Sequence, residues 1–264
     1  MRPLVFVHIP KAAGTTLRGV IRRNYAPHSV LEVEHDIDAA VAAERLRRGG
    51  AVIGHLSFRT RDALGVDADA ITVLREPIER LVSAYFYLRR RGAQHRFARY
   101  AGSLADFAAS DENELRNGMT RQLSGTTSAP DAQALARAKH NLLHEFAAFG
   151  TDDHFDESLL LFQRRLGWRT IYCARENAAA RRPPLAQLDR GALRLLERNN
   201  ELDAELWELA KRELSARLAA QPAAFHDELR AYRRRNRLYS AVVTSARRLP
   251  RPVKHLLRLA THYR

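Results

Sequence analysis

The chain has 264 residues, of which 45% are hydrophobic and 28% charged, and a formal net charge of +14. That length and apolar content provide for one sizeable core and exclude a largely disordered chain, and no apolar run of about 20 residues is present to cross a membrane as a helix. The single cysteine, Cys173, excludes an intramolecular disulfide and a thiolate metal cluster and suits a reducing compartment.

In chain order, the first predicted element is a strand over 4–8. It breaks at His8 and Pro10 into a small-residue loop, Lys11, Ala12, Ala13, Gly14, Thr15 and Thr16, and a helix is predicted over 15–24. Strand, tight loop and helix N-terminus make an anion cradle, because the first helical amides lack intrahelical acceptors and the helix dipole favours negative charge there. Lys11 adds a mobile charge and the two threonines add hydroxyl donors. The spacing is not that of a Walker A loop, which needs its lysine late and directly before the hydroxyl residue, and the dinucleotide fingerprint GxGxxG is absent.

A strand over 30–33, a helix over 37–48 and a strand over 51–54 follow, the last ending in GHLSF and placing His55 at a strand terminus. A strand over 71–74 and a helix over 77–91 come next, in the run ITVLREPIERLVSAYFYLRR. Pro77 suits a first helical turn. Arg75 then lies at the carboxyl end of a strand, where open α/β sheets bind ligands, and Ser83 nearly two turns into the helix. A guanidinium grips phosphate with two prongs, and the serine hydroxyl completes the shell. Without such a ligand, Arg75 would simply pair with Glu76 or Glu79.

The motifs PKxxGTT and R-[DE]-P-x-x-R-x-x-S, in this order and about 60 residues apart, resemble the 5′-phosphosulfate and 3′-phosphate motifs of sulfotransferases that use 3′-phosphoadenosine 5′-phosphosulfate (PAPS). The likeness is greatest to the carbohydrate sulfotransferases of the heparan sulfate 2-O type. It covers roughly residues 3–220 and is weak between 92 and 130. It implies Lys11, Ala12, Ala13, Gly14, Thr15 and Thr16 on the 5′ side of the donor and Arg75 and Ser83 on the 3′-phosphate. It also implies Arg181, with Arg175, Asn177 and Arg182, in a basic loop late in the chain. His55 would be the general base and Lys11 would stabilise the leaving phosphate, with no metal required. A neutral imidazole with a pKa near 6.5 suits removal of a hydroxyl proton. His8 is a rival base, more readily an acceptor contact, and Arg89 is a candidate for an acidic acceptor. Where close members of that family have a second histidine, two residues before the base, this chain has Ile53; Glu76 stands for the usual aspartate.

Downstream, the polar region 92–130 is expected to wall the acceptor cleft, with Asn117 and Arg121 as candidate contacts. Helices are predicted over 132–146, 154–166 and 188–218, and strands over 147–150 and 169–173. The alternation predicts an α/β, P-loop-like three-layer fold with a central parallel sheet flanked by helices. His140, His144 and His154 share a helical pattern but have no metal-site spacing. A sulfotransferase domain over 1–222 and a basic tail over 223–264, helical or partly disordered, are expected. From Leu229 onward there is no acidic residue, which suits peripheral contact with an anionic membrane. No nucleic-acid-binding signature accompanies the pI of about 10.7.

The function expected is therefore transfer of a sulfuryl group from PAPS to a hydroxyl of a carbohydrate or glycolipid. An ATP-dependent phosphate-loop kinase and a non-enzymatic binder of anionic polymers are the alternatives. With Met1 leading straight into the first strand, a cytoplasmic location is expected.

Overall fold

The computed structural model describes residues 1–33, 37–91, 102–174 and 182–248. Five parallel strands, β1 (Leu4–Val7), β2 (Val30–Val33), β3 (Ala51–Gly54), β4 (Asp69–Leu74) and β5 (Ala148–Thr151), form one sheet in the order β2-β3-β1-β4-β5. The central strand β1 pairs with β3 on one side and β4 on the other, so that Val7 lies opposite both Gly54 and Thr72. Its carboxyl end is thus the point from which the chain departs in two directions, the usual place for a ligand in such sheets.

Between and after the strands run α1 (Gly14–Asn24), α2 (Ala39–Arg47), α3 (Phe58–Ala63), α4 (Pro77–Arg91), α5 (Leu104–Ala109), α6 (Gly118–Ser124), α7 (Ala132–His140), α8 (Phe155–Leu166), α9 (Arg190–Arg198), α10 (Glu201–Ala219) and α11 (Ala223–Arg248). Because side chains alternate along a strand, the sheet feeds two cores. Val5, Val7, Val52, Leu74 and Phe149 pack against α2, α6, α7 and α10 on one face. Leu4, Phe6, Ile53, Ile71 and Val73 pack against α1, α8 and α11 on the other. A third cluster joins α4, α5 and α9 through Leu81, Tyr85, Phe107 and Leu196.

Three expectations change. The strand expected over 169–173 joins no ladder among the described residues. Side chains satisfy its backbone instead: Asn24 Oδ1 accepts from the amides of Arg169 and Thr170, Asn24 Nδ2 donates to Thr170 O at 2.7 Å, and Asn236 Oδ1 accepts from Cys173 N at 2.8 Å. The helix expected over 188–218 is two helices, α9 and α10. They part at Asn199 and Asn200, where Asn200 Nδ2 donates to Leu115 O and Leu196 O and its Oδ1 accepts from Asn117 N. Finally, the helix over 132–146 widens after His140 and ends in a π turn over Asn141–Glu145, with Phe146 N donating to Asn141 O.

Candidate active site

The site is built from four strand ends. The β1 loop turns sharply: Lys11 and Ala13 have φ of +66° and +56°, a left-handed conformation that costs a residue with a Cβ roughly 1 kcal/mol or more. This turn delivers the chain into α1, whose N-terminus receives no side-chain cap. A helix start left uncapped at a strand end is a ready anion site. Gly14 is required for a second reason. A Cβ there would come within 1.9 Å of Nε2 and Cδ2 of His8, so the absent side chain is the seat of the His8 ring. On its other side that ring stacks on Phe6, centroids 5.3 Å apart and planes inclined by 18°.

His55 stands just beyond β3 and is exposed. Its ring centroid is 4.8 Å from that of His8, with the planes at 60°. A histidine pair therefore exists here, with its second member supplied by β1 rather than by position 53, where Ile53 is in the core. The two imidazoles differ in chemistry. Burial first, then the charges of His55, Arg18 and Lys11, pushes the His8 pKa down to about 3. His8 is thus neutral at physiological pH and a poor proton acceptor, whereas His55 faces solvent.

Lys11 folds back over α4, its Nζ 3.9 Å from the centroid of the Tyr87 ring. Burial, followed by repulsion from Arg90, Arg75 and Arg91, lowers its pKa to about 8. Arg75, at the end of β4, donates from Nη1 to Lys11 O at 3.2 Å. Its Nη2 lies 3.3 Å from Glu79 Oε2 and its Nε 3.1 Å from Asp152 Oδ2, just past β5. The Asp152 contact is ionic without hydrogen-bond alignment. Glu79 is shared, because Arg182 also pairs with its Oε2 and donates to Glu79 O. Glu76 has a different task from Glu79: it accepts from Ile78 N and Glu79 N and so caps α4.

Glu79, Ser83 and Tyr87 recur every four residues and so form one stripe of α4. Ser83 accordingly sits between the Arg75–Glu79–Arg182 cluster and the Lys11–Tyr87 contact. Ala12, Thr16 and Gly14 are buried, and Ala13 and Thr15 half-buried, in the loop and first turn that lead from Lys11. Arg89 is elsewhere: it lies over the Tyr85 ring, on the flank of α4 packed against α5, and Arg90 and Arg91 are the residues whose charge reaches Lys11. Arg181, with Arg175 and Asn177, lies outside the described residues. No group of three or more histidine, cysteine or acidic side chains suited to a metal is present among the described residues.

Within the region expected to wall the acceptor cleft, the described residues also contribute structure. Met119 and Leu123 of α6 are fully buried, Asn117 caps α6 in a left-handed conformation and accepts from Asp203 N. Arg121 spends its guanidinium on Thr127 O, Ser128 O and Asn113 Oδ1. Sequence reading missed Gln122, whose Nε2 donates to His8 O at 3.0 Å and to Leu56 O at 2.8 Å. A glutamine in a polar run carries no local signal for a contact spanning 114 residues.

The model of the sulfotransferase family matches residues 2–210. The chain belongs to the sulfotransferase family. No curated protein matches it. Among solved structures, mouse sulfotransferase SULT7A1 complexed with PAP is similar over 77% of this chain, at 13% identity and a TM-score of 0.38. The chain spans 65% of the length of that structure. Within this family member, the matched span contains every element of the cradle and ends in α10, so α11 lies beyond it.

Proposed function

We propose that the chain transfers the sulfuryl group of PAPS to a hydroxyl of an acceptor. The observation that carries this reading is the joint placement of Lys11, the uncapped start of α1, Arg75 and the His8–His55 pair at the ends of neighbouring parallel strands. Lys11, Gly14, Thr15 and Thr16 hold the 5′ side of the donor, with Ala12 and Ala13 supplying the turn. Arg75 and Ser83 hold the 3′-phosphate, and Arg182 reaches the same cluster through Glu79. The donor supplies an activated sulfur whose leaving group is a phosphate.

In the transfer, the acceptor oxygen bonds to sulfur as the bond from sulfur to the phosphate oxygen breaks, and the hydroxyl proton passes to His55. Lys11 leaves the Tyr87 face to meet the charge that grows on the leaving oxygen. His8, neutral and packed, faces the reacting hydroxyl without competing for its proton. The acceptor we assign is a hydroxyl of a carbohydrate or glycolipid, supported by the chain's excess of positive charge, which concentrates anionic substrates. Arg89, an exposed side chain on the α5 side of α4, is too far round the helix from the Lys11 side to serve in the donor site and is kept as an acceptor candidate. We further propose a cytoplasmic protein that touches anionic membrane through α11 and the basic segment after it. Arg234, Arg235 and Arg237 are exposed there, beside Leu238 and Val242 at 71% and 69% exposure.

Calorimetric titration with 3′-phosphoadenosine 5′-phosphate, with ATP and ADP as competitors, tests the reading. Binding that needs the 3′-phosphate and falls about tenfold or more in Arg75→Ala is expected, since a charge-assisted pair contributes about 1.5–3 kcal/mol. His55→Ala should keep that binding and lose slow PAPS cleavage by water. Preference for ATP would favour a kinase, and full retention of function in His55→Ala a non-catalytic binder.

A further inference from the structure

We propose that Gln122 is a positioning residue that sets the spacing of the two imidazoles by tying the ends of β1 and β3 to a single carboxamide. This rests on the reading that His55 takes the acceptor's proton. The ladder between the two strands ends where His8 N donates to Gly54 O at 2.8 Å. Beyond that bond the strands diverge into separate loops, one carrying His8 and the other His55 and Leu56. The carbonyls of His8 and Leu56 then have no ladder donor, and Leu56 is only 4% exposed.

Gln122 Nε2 meets both carbonyls, at 3.0 and 2.8 Å. An amide nitrogen carries two hydrogens at a fixed angle, so using both of them fixes the distance between the two acceptors. The glutamine is itself held, because α6 is anchored from below. Asp203 Oδ2 accepts from Met119 N at 3.0 Å, its Oδ1 from Thr120 N at 2.7 Å, and Arg80 pairs with it at 3.4 Å. A buried ion pair thus holds α6, Gln122 on α6 holds two loops, and the loops hold the histidines. His8 cannot compensate alone, since Phe6 and Gly14 fix its ring plane but not the separation of its loop from that of His55.

The full-length chain with carbon-13-labelled histidines provides the test. The wild-type protein should show a nuclear Overhauser contact between the His8 and His55 rings, and His8 should stay neutral well below pH 6. In Gln122→Leu the contact should disappear and His8 should titrate at least a full pH unit higher, as water enters beside it. Affinity for 3′-phosphoadenosine 5′-phosphate should stay within about twofold, while PAPS cleavage by water falls about tenfold or more, the cost expected of a misplacement near 1 Å. Gln122→Glu, almost the same size but unable to donate, should behave likewise and serves if the leucine variant fails to fold. An unchanged ring contact and His8 titration in a folded variant would overturn the proposal, as would loss of nucleotide affinity in proportion to loss of cleavage. If the wild-type protein binds no 3′-phosphoadenosine 5′-phosphate, the failure lies with the sulfotransferase activity itself, and the histidine contact still reports on Gln122.

Discussion

Two side chains at the mouth of the cradle have proton affinities displaced by their surroundings, and each has its own consequence. Lys11 holds its proton only to about pH 8, because burial and three arginines weaken the ammonium. A group that must be charged and has a lowered pKa loses its effect as pH rises through that value. We therefore expect kcat/KM for PAPS cleavage, which reports the free enzyme, to fall above about pH 8, and Lys11→Arg to abolish that alkaline fall. His8 works in the opposite direction on stability. Its folded pKa is about 3 against an ordinary 6.5, so the unfolded chain binds the proton first. The stability His8 permits is complete above about pH 6.5 and is lost progressively as pH falls toward 3. Neither displacement is readable from sequence. Lys11 reads from its loop as a candidate phosphate contact, but burial and then Arg90, Arg75 and Arg91, all far along the chain, lower its pKa.

Among the elements, α6 has the greatest influence for its size. Seven residues long, it joins no strand, yet it carries Gln122 and takes its own orientation from Asp203. That carboxylate is fully buried, as is Arg80, and it receives two backbone amides as well as the ion pair. Removing one partner strands the other charge in the interior, at a cost of about 3–5 kcal/mol. Asp203→Ala should lower the unfolding free energy by roughly that amount in urea titrations, with Asp203→Asn milder because it still accepts one amide. A loss below about 1 kcal/mol would mean that α6 is held by apolar packing alone. The five strands and their order of appearance were predictable from apolar runs ended by glycine, proline or charge. The segment 169–173 has the same apolar, β-branched composition but meets Asn24 and Asn236 before it meets a strand edge. Competition between side-chain and ladder partners is settled by distance in space, which a local pattern does not contain.

On the scale of the whole molecule, α11 links the basic C-terminal region to the second core. Phe225, Leu229 and Tyr232 are buried in it, Arg233 pairs with Asp156 and Glu157, and Tyr232 donates to Ile171 O. Farther along, the exposed side of the helix combines arginines with Leu238 and Val242. No helix among the described residues is long and apolar enough to cross a membrane. In the proposed contact, arginines meet anionic headgroups and apolar side chains enter the interface. Vesicles of phosphatidylcholine with and without phosphatidylserine offer the measurement. Sedimentation with the anionic vesicles alone, weakened both by Leu238→Asp with Val242→Asp and by salt, is the expected result. Binding that ignores the apolar pair would assign the surface to an anionic polymer instead.

The sequence by itself determined the α/β class, the parallel sheet and the residues at its carboxyl ends, because these follow from short-range rules: apolar runs make buried strands, and small residues with a lysine make an anion loop before a helix. It also placed Arg75 and His55 at strand ends. Tertiary structure alone decided which partners those residues have. It brought His8 beside His55, put Glu79 between Arg75 and Arg182, turned Lys11 onto Tyr87 and set Gln122 across two loops. Each of these contacts joins residues from different parts of the chain, or selects one of several neighbours, and its strength depends on burial, which exists only once the sheet and its helices have closed together.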